Sequence, residues 1–525
     1  MKILKVILLL FITSTTFAQS VSTKLNHPIY EFFDKMEGKG LLNSVSFRVK
    51  PYSRDFIFEC LQKIDLKSLT NSEKQLLEIY KNEFDEKLDS KGFQKPFKSA
   101  KKDNHLFIWQ SESDKTYVIG DLIFEENLEF WKGDSSAKIS KTRVRGEIRG
   151  KIADKLAFYS DASNALVKGT NQAGRDDFNS GIAVSANQGQ VFESESNAHI
   201  AFDLFSLRFE AGKNALLYGN GKHSQLTVSN NAGNYDLFRI DKSWERINFN
   251  YFHAFLHGNN RDSTTTSANG ETAKYFVGHK IDFEVFKGIY FGFAETVVYS
   301  DRGDNRQLEP QYLIPINFFQ IAEKYAGDKD NNTMAFDLTI NRFKNKRFYG
   351  EMFWDDFTFT KNPFKHWGSK WAVILGTDFY FGDFTWNFEY SRVEPFLYTS
   401  DETENTYRHF SNGLGSFLLP NSDYYFTEIS YTPSWQWDFK TNIEFRRHGE
   451  GNLDFPKQPE TGLTKHFLKG TVEKSLTWSS EIKFQPFYKQ FLLVSYDFQK
   501  VKNYRLNKNS NPTFQSLKMQ LQLDW

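Results

Sequence analysis

Apolar positions along this chain follow two periods. Between about 26 and 90 they recur every third or fourth residue, as on one face of a helix. Beyond about 115 they recur every second residue, as on one face of a strand. In the first region Pro28 suits the opening turn of a helix over PIYEFFDKMEG, which Gly38 closes. Ser53 can cap a second helix over RDFIFECLQKI. Thr70 and Glu73 form a capping box for a third, whose stripe is Leu76, Leu77, Tyr80, Phe84 and Leu88. Helices this short must pack on each other or on something larger. The basic stretch KGFQKPFKSAKKDN at 91–104 reads as a linker.

In the second region Arg143, Arg145, Glu147, Arg149 and Lys151 alternate with Val144, Gly146, Ile148, Gly150 and Ile152. Trp435, Trp437, Phe439, Thr441, Ile443 and Phe445 form one face of another strand. Phe384, Trp386, Phe388 and Tyr390 form one face of a third. The chain ends with Leu517, Met519, Leu521, Leu523 and the terminal Trp525 on a single face. An amphipathic last strand closed by an aromatic is similar to the C-terminal signal of outer-membrane barrels. Trp435, Trp437 and Trp525 are then expected at the lipid interface.

Polar segments rich in Gly, Asn and Ser fall near 166–195, 258–272, 302–332, 398–422, 448–465 and 503–514. Tight turns at Lys287-Gly288, Asn345-Lys346 and Gly382-Asp383 lie between them. Long loops alternating with short turns are the habit of bacterial barrels. The pattern predicts an all-β fold, a transmembrane antiparallel barrel of about 16–18 strands with a small N-terminal α-helical region. Counting by that alternation gives about 16 strands, with room for another pair. Residues 212–237 (GKNALLYGNGKHSQLTVSNNAGNYDL) break the rhythm, because a short periplasmic turn is due there. A fold-in toward the lumen or a pair of irregular strands would explain them.

Composition sharpens this. The formal charge of +1 excludes a strongly basic nucleic-acid binder, and a mean hydropathy of −0.56 excludes a bundle of transmembrane helices. Aromatics make up 17% of the chain, which suits strands that face both lipid and lumen. Lys2, Lys5, the apolar run from Val6 to Phe11, and Thr16 and Ala18 have the layout of a secretory leader cleaved after Ala18. The expected parts are a signal peptide at 1–18, a helical region and linker at 19–112, and a barrel at 113–525. Cys60 is the single cysteine, so no intrachain disulfide forms, and its helical spacing with Ile57, Leu61 and Ile64 places it in a core.

Candidate chemistry is sparse. His253 and His257 read as strand residues, which separates them by roughly 13 Å, too far to share a metal. No hydrolase, zincin or phosphate-loop string occurs, and the chain reads as a non-enzyme without a cofactor or metal. Arg143, Arg145, Arg149 and Lys151 make a lumen-facing basic stripe, which pairs with carboxylates on neighbouring strands or cradles an anionic polymer. Aromatics mixed with polar groups in outer loops are the places to seek sugar stacking: Tyr398, Tyr407, Arg408 and His409, and more weakly Tyr312, Lys324 and Tyr325.

GKNALLYGNGKHSQLTVSNNA resembles the Gly-Asn-rich signature of the Wzi-type capsule-assembly proteins, from which Tyr218 departs. HPIYEFFDKMEGKGLL, KPYSRDFIFECL and LTNSEKQLLEIYKNEF resemble the leader of the branch with an N-terminal helical region. NFEYSRVEPFLYTS and YRHFSNGLGSFLLPNSDYYF resemble a later block. The resemblance implies an outer-membrane barrel of 18 strands with helices at its periplasmic mouth, acting as a lectin in capsule attachment. The implied partners are capsular or other surface polysaccharide, outer-membrane lipid and the barrel-assembly machinery, with no nucleic acid. A porin for small solutes is the other reading, and a soluble exported glycan-binding protein a third.

Overall fold

The computed structural model describes residues 20–525 apart from 87, 89–90, 95–100, 102–103, 113–114, 134–135, 170–181, 188–189, 258–272, 301–307, 328, 357, 359 and 455–461. The expected leader at 1–18 lies outside the described residues.

Eighteen antiparallel strands close into a barrel. They are β1 (Tyr117–Lys132), β2 (Ser136–Ile152), β3 (Leu156–Gly169), β4 (Gln190–Leu204), β5 (Leu207–Asn214) and β6 (Tyr235–Ser243). Then follow β7 (Ile247–Leu256), β8 (Lys274–Phe286), β9 (Ile289–Ser300), β10 (Asn331–Ile340), β11 (Lys346–Asp356) and β12 (Lys370–Phe381). The last six are β13 (Phe384–Val393), β14 (Ser422–Ser434), β15 (Trp437–His448), β16 (Glu473–Phe487), β17 (Gln490–Lys502) and β18 (Thr513–Asp524). β18 pairs back onto β1, with Met519 opposite Leu128. No edge is left open there, which a sheet in lipid requires.

Alternation sets the two surfaces. On β2, Val144, Ile148 and Ile152 are exposed on the outside, and Arg143, Arg145, Arg149 and Lys151 point into the lumen, where Arg149 is buried. On β18 the faces divide in the same way, with Leu521 outside and Lys518 inside.

The eighteen strands agree with the expected 16–18, and one hairpin that the sequence hides contributes to the pair beyond 16. β4 and β5 are joined by Phe205 and Ser206 alone, both at positive φ (52° and 61°). Such a turn usually carries Asn-Gly. With that hairpin counted, residues 215–234 connect β5 to β6 at the long-loop end. The expected periplasmic turn is therefore an outer connection.

Three helices, α1 (Ile29–Gly38), α2 (Arg54–Gln62) and α3 (Asn71–Phe84), lie across the short-turn mouth. The second and third start with the caps the sequence predicts, while the first runs through Gly38 to a cap at Lys39 and the third ends at Phe84, short of Leu88. Phe56 N–H donates to Ser53 Oγ, and the Thr70 and Glu73 side chains each accept the other's backbone N–H. Phe33, Met36, Ile57, Leu61, Leu77 and Phe84 form one apolar core with Trp435 and Tyr488 from the short turns. Trp435 thus sits beneath the helices and not at lipid. Polar ties reach widely separated strands around the rim: Glu83 with Tyr488 (2.6 Å), Thr70 with Asp383 (2.7 Å), Arg347 with Asp34 (2.6 Å) and Lys151 with Asp55 (3.0 Å). Cys60 belongs to this core, and burial pushes its thiol up to about 12, so it is unreactive at neutral pH.

Candidate functional site

Residues 215–234 leave the long-loop end of β5, descend into the lumen and climb back to β6. At the bottom Leu217 and Tyr218 pair with Lys50 and Val49, next to the helices. A chain that doubles back in so little space needs glycine. Gly219 takes φ +96°, and a Cβ on Gly221 would lie 1.9 Å from the Ser224 carbonyl oxygen.

Backbone polar groups removed from water need partners, and two lumen carboxylates supply them. Glu389 accepts from the amides of Lys222 (2.7 Å) and Ser224 (2.9 Å) and from the Tyr349 hydroxyl (2.8 Å). Glu351 accepts from the amides of Leu226 (3.2 Å) and Thr227 (3.1 Å) and from Thr227 Oγ1 (2.6 Å). Arg48, fully buried and ion-paired with Glu37, donates to Asn220 Oδ1 at 2.9 Å and ties the segment to the helices. Leu216, Tyr218, Leu226 and Val228 pack against lumen-facing Phe252, Phe276, Val298 and Phe353. The segment is a plug.

The connection between β13 and β14 closes over it. Tyr398 and Tyr407 donate to the carbonyls of Leu226 and Thr227, each at 2.7 Å, and their rings stack at 5.4 Å. Both rings are buried, as are Arg408, which pairs with Asp454 at 2.6 Å, and His409. The outer surface expected for Tyr398, Tyr407, Arg408 and His409 is corrected accordingly, since these groups grip the plug or back the loop. Nothing in their sequence distinguishes a ring that holds the chain's own carbonyl from one that holds a sugar. Tyr312 is also buried, while Lys324 and Tyr325 are exposed on α4 (Phe319–Ala326).

Beside the plug a cleft of about 410 Å³ opens at the long-loop end. Glu195, Lys213, Asn234, His257, His409 and Phe410 contribute to its walls. The His257 and Phe410 rings are parallel at 4.9 Å, and Phe410 N–H donates to the His257 carbonyl at 3.2 Å. His409 Nδ1 accepts from the His257 amide at 3.1 Å, and burial holds that imidazole down at about 3, hence neutral. His257, missed as a candidate because its strand context argued against a metal, is the exposed ring of this wall. Deeper along the same side lies a second cavity of about 230 Å³, where Arg145, Tyr159, Asp161 and Asn197 meet Lys24. Among the described residues no group of three or more metal-ligating side chains occurs, and no helix is long and apolar enough to cross a membrane.

The sequence profile of the capsule assembly protein Wzi family matches residues 132–516. The chain belongs to that family. The fold agrees with the solved Wzi of Escherichia coli, an outer-membrane protein involved in group 1 capsule assembly and described as a carbohydrate-binding β-barrel. That match has 10% identity over 97% of this chain and 99% of that one, with a TM-score of 0.58. OpdQ and OpdK of Pseudomonas aeruginosa align over 78% of this chain and 98% and 99% of theirs, each at 8% identity and a TM-score of 0.44. No curated protein sequence matches the chain. This Wzi-family chain is an outer-membrane barrel, so its short turns face the periplasm and its long loops the outside. The helices therefore cover the periplasmic mouth.

Proposed function

We propose that the protein binds a surface polysaccharide, of the capsular kind, at the cleft beside the plug, and so supports capsule assembly or attachment without catalysing a reaction. The observation that carries this is the parallel His257–Phe410 pair facing a cleft that also offers Glu195, Lys213 and Asn234. Pyranose rings are held by C–H faces on flat side chains and by hydroxyls on amides and charges. Tyr398, Tyr407 and His409 hold the wall in place from behind. The packed plug and the helical cover favour this reading over a diffusion channel. In the same proposal the leader is removed after Ala18, the helical region ends near 112, and the terminal Trp525 strand is read by the barrel-assembly machinery.

Glycan binding by purified Phe410→Ala/Glu195→Gln protein tests it. Truncating a stacking contact at an interface costs about 1–3 kcal/mol, so affinity for the homologous capsule should fall about tenfold or more, with heat-modifiable mobility on gels unchanged. Full binding by the double variant would refute the cleft as the site.

A further inference from the structure

Between β9 and β10 the described residues from Leu308 pack against the barrel. Residues 308–326 fold back down the exterior of the barrel. On β9, Tyr290, Ala294, Thr296 and Val298 face the lumen, so Glu295, Val297 and Tyr299 face outward. On the neighbouring strands, by the same alternation, Tyr251, His253, Val277 and His279 also face outward. Yet Glu295 is only 2% exposed. Phe319 N–H donates to Glu295 Oε2 at 3.1 Å, and the Phe319 ring lies 4.5 Å from that of His279. The Tyr251 hydroxyl donates to the Tyr312 carbonyl at 2.9 Å. The flap thus seals a patch of His and Glu against the wall.

Depth decides what lies on the other side. Glu295 stands six residues above Ile289, the first residue of β9. At about 3.3 Å per residue and a tilt near 40°, that is roughly 15 Å up an apolar band about 25 Å tall. The covered patch is at hydrocarbon level. Residues Leu313 to Ile321 include no charged side chain. On the face turned away from the wall Ile314, Ile316, Phe318 and Ile321 are 52–79% exposed. This surface continues the lipid belt formed below it by Phe291 and Leu338.

We infer that residues 308–326 form a membrane-embedded flap, docked on the outer wall over β7–β9, whose apolar face contacts acyl chains of the outer leaflet. A protein partner or a second copy would instead leave the face without lipid in isolated protein. The inference is independent of what the cleft binds.

The test uses full-length protein in phospholipid vesicles, with an environment-sensitive fluorophore on Ile316→Cys and, separately, on Lys508→Cys in the β17–β18 loop; buried Cys60 serves as the unlabelled background. At position 316, chain-brominated lipid should quench several-fold more strongly than aqueous iodide. The order should reverse at 508. Stronger iodide quenching at 316 would overturn the flap. So would protection from both quenchers together with energy transfer between differently labelled copies, which would mark a face shared by two copies.

Discussion

The two halves of this lumen are built from opposite materials. From β6 to β14 the inward residues include Phe252, Phe276, Ala294, Val298, Ala335, Phe353, Ile374 and Phe426, and the plug makes one apolar core with them. From β15 round to β2 they include Lys440, Glu444, Glu481, Lys483, Asp497, Lys518, Glu129 and Arg143, partly exposed, several of them paired with neighbouring strands along the wall. Lys518 reaches Asp497 at 3.4 Å and Glu129 at 3.8 Å, and Arg143 reaches Glu125 at 3.8 Å. The difference teaches that a barrel need not be either channel or plug. One wall is a protein interior, where each fully buried large side chain contributes about 1.5–3 kcal/mol. The other is a wetted surface, where ion pairs are worth little.

Charge deletion should therefore break the first half and spare the second. The largest effect is expected from Glu351→Ala with Glu389→Ala. Each removal strands buried donors, at about 1–3 kcal/mol for each unsatisfied group, so the sum is several kcal/mol. The double variant should unfold at a much lower temperature on heat-modifiability gels, and any folded fraction should conduct ions at least tenfold better in planar bilayers. An unchanged midpoint and conductance would mean that apolar packing alone holds the plug.

Next comes Arg48→Ala, which strips Glu37 of its counter-ion where both side chains are fully buried. Breaking a buried pair by removing one partner costs about 3–5 kcal/mol. The same gel assay should show a clear drop, and adding Glu37→Gln should recover part of it. No recovery would place the loss in the contact with Asn220.

The local elements are legible in the sequence. The capping box at Thr70, the stripe with Cys60 and the alternation at Arg143–Ile152 specify helices and strands locally, because each element's own neighbours satisfy it. The fold-in of residues 212–237 toward the lumen was legible as one of two readings, but the end from which it enters and what anchors it were not, for two reasons. It enters after a hairpin at Phe205-Ser206 that lacks the usual Asn-Gly pair, so the alternation of long and short connections reads one step out of phase there. Its anchoring carboxylates, Glu351 and Glu389, are more than a hundred residues away and look like any inward polar position. The sequence does carry one signal of the plug. β8 and β9 carry apolar residues on both faces (Phe276 and Val277; Val297 and Val298), which in a barrel implies protein on the inside. The cleft residues were legible only as a neighbourhood, since His257 and Phe410 meet through loop geometry.

A pH effect of intermediate size should mark the cover of the plugged half. His409 titrates near 3 in the folded loop because it is buried, against an ordinary value near 6.5. Between those values the unfolded loop binds more protons than the folded one. Stability is then fully present above about 6.5 and falls as pH drops, by at most about 1.4 kcal/mol per unit. Hydrogen-exchange protection over 405–416, corrected for the intrinsic pH dependence of amide exchange, should fall between pH 6 and 4, and His409→Gln should flatten that dependence. A flat profile in the parent protein would show that the imidazole is already protonated in place.

The smallest effect, and the sharpest contrast with Glu351 and Glu389, belongs to the open half. Lys518 is about half exposed and shares two carboxylates, Asp497 and Glu129, at distances that water can bridge. Removing it takes away a screened attraction and leaves two charges that solvent still reaches, so no buried group is orphaned. Lys518→Ala should shift stability by less than about 1 kcal/mol, a change near the resolution of the gel assay. Raising salt should shrink even that shift, because screening at 1 M acts over about 3 Å. If Lys518→Ala instead lowers the midpoint as far as Arg48→Ala does, the lumen beside β15–β2 is as dry as the plugged side, and the division drawn between the two halves fails.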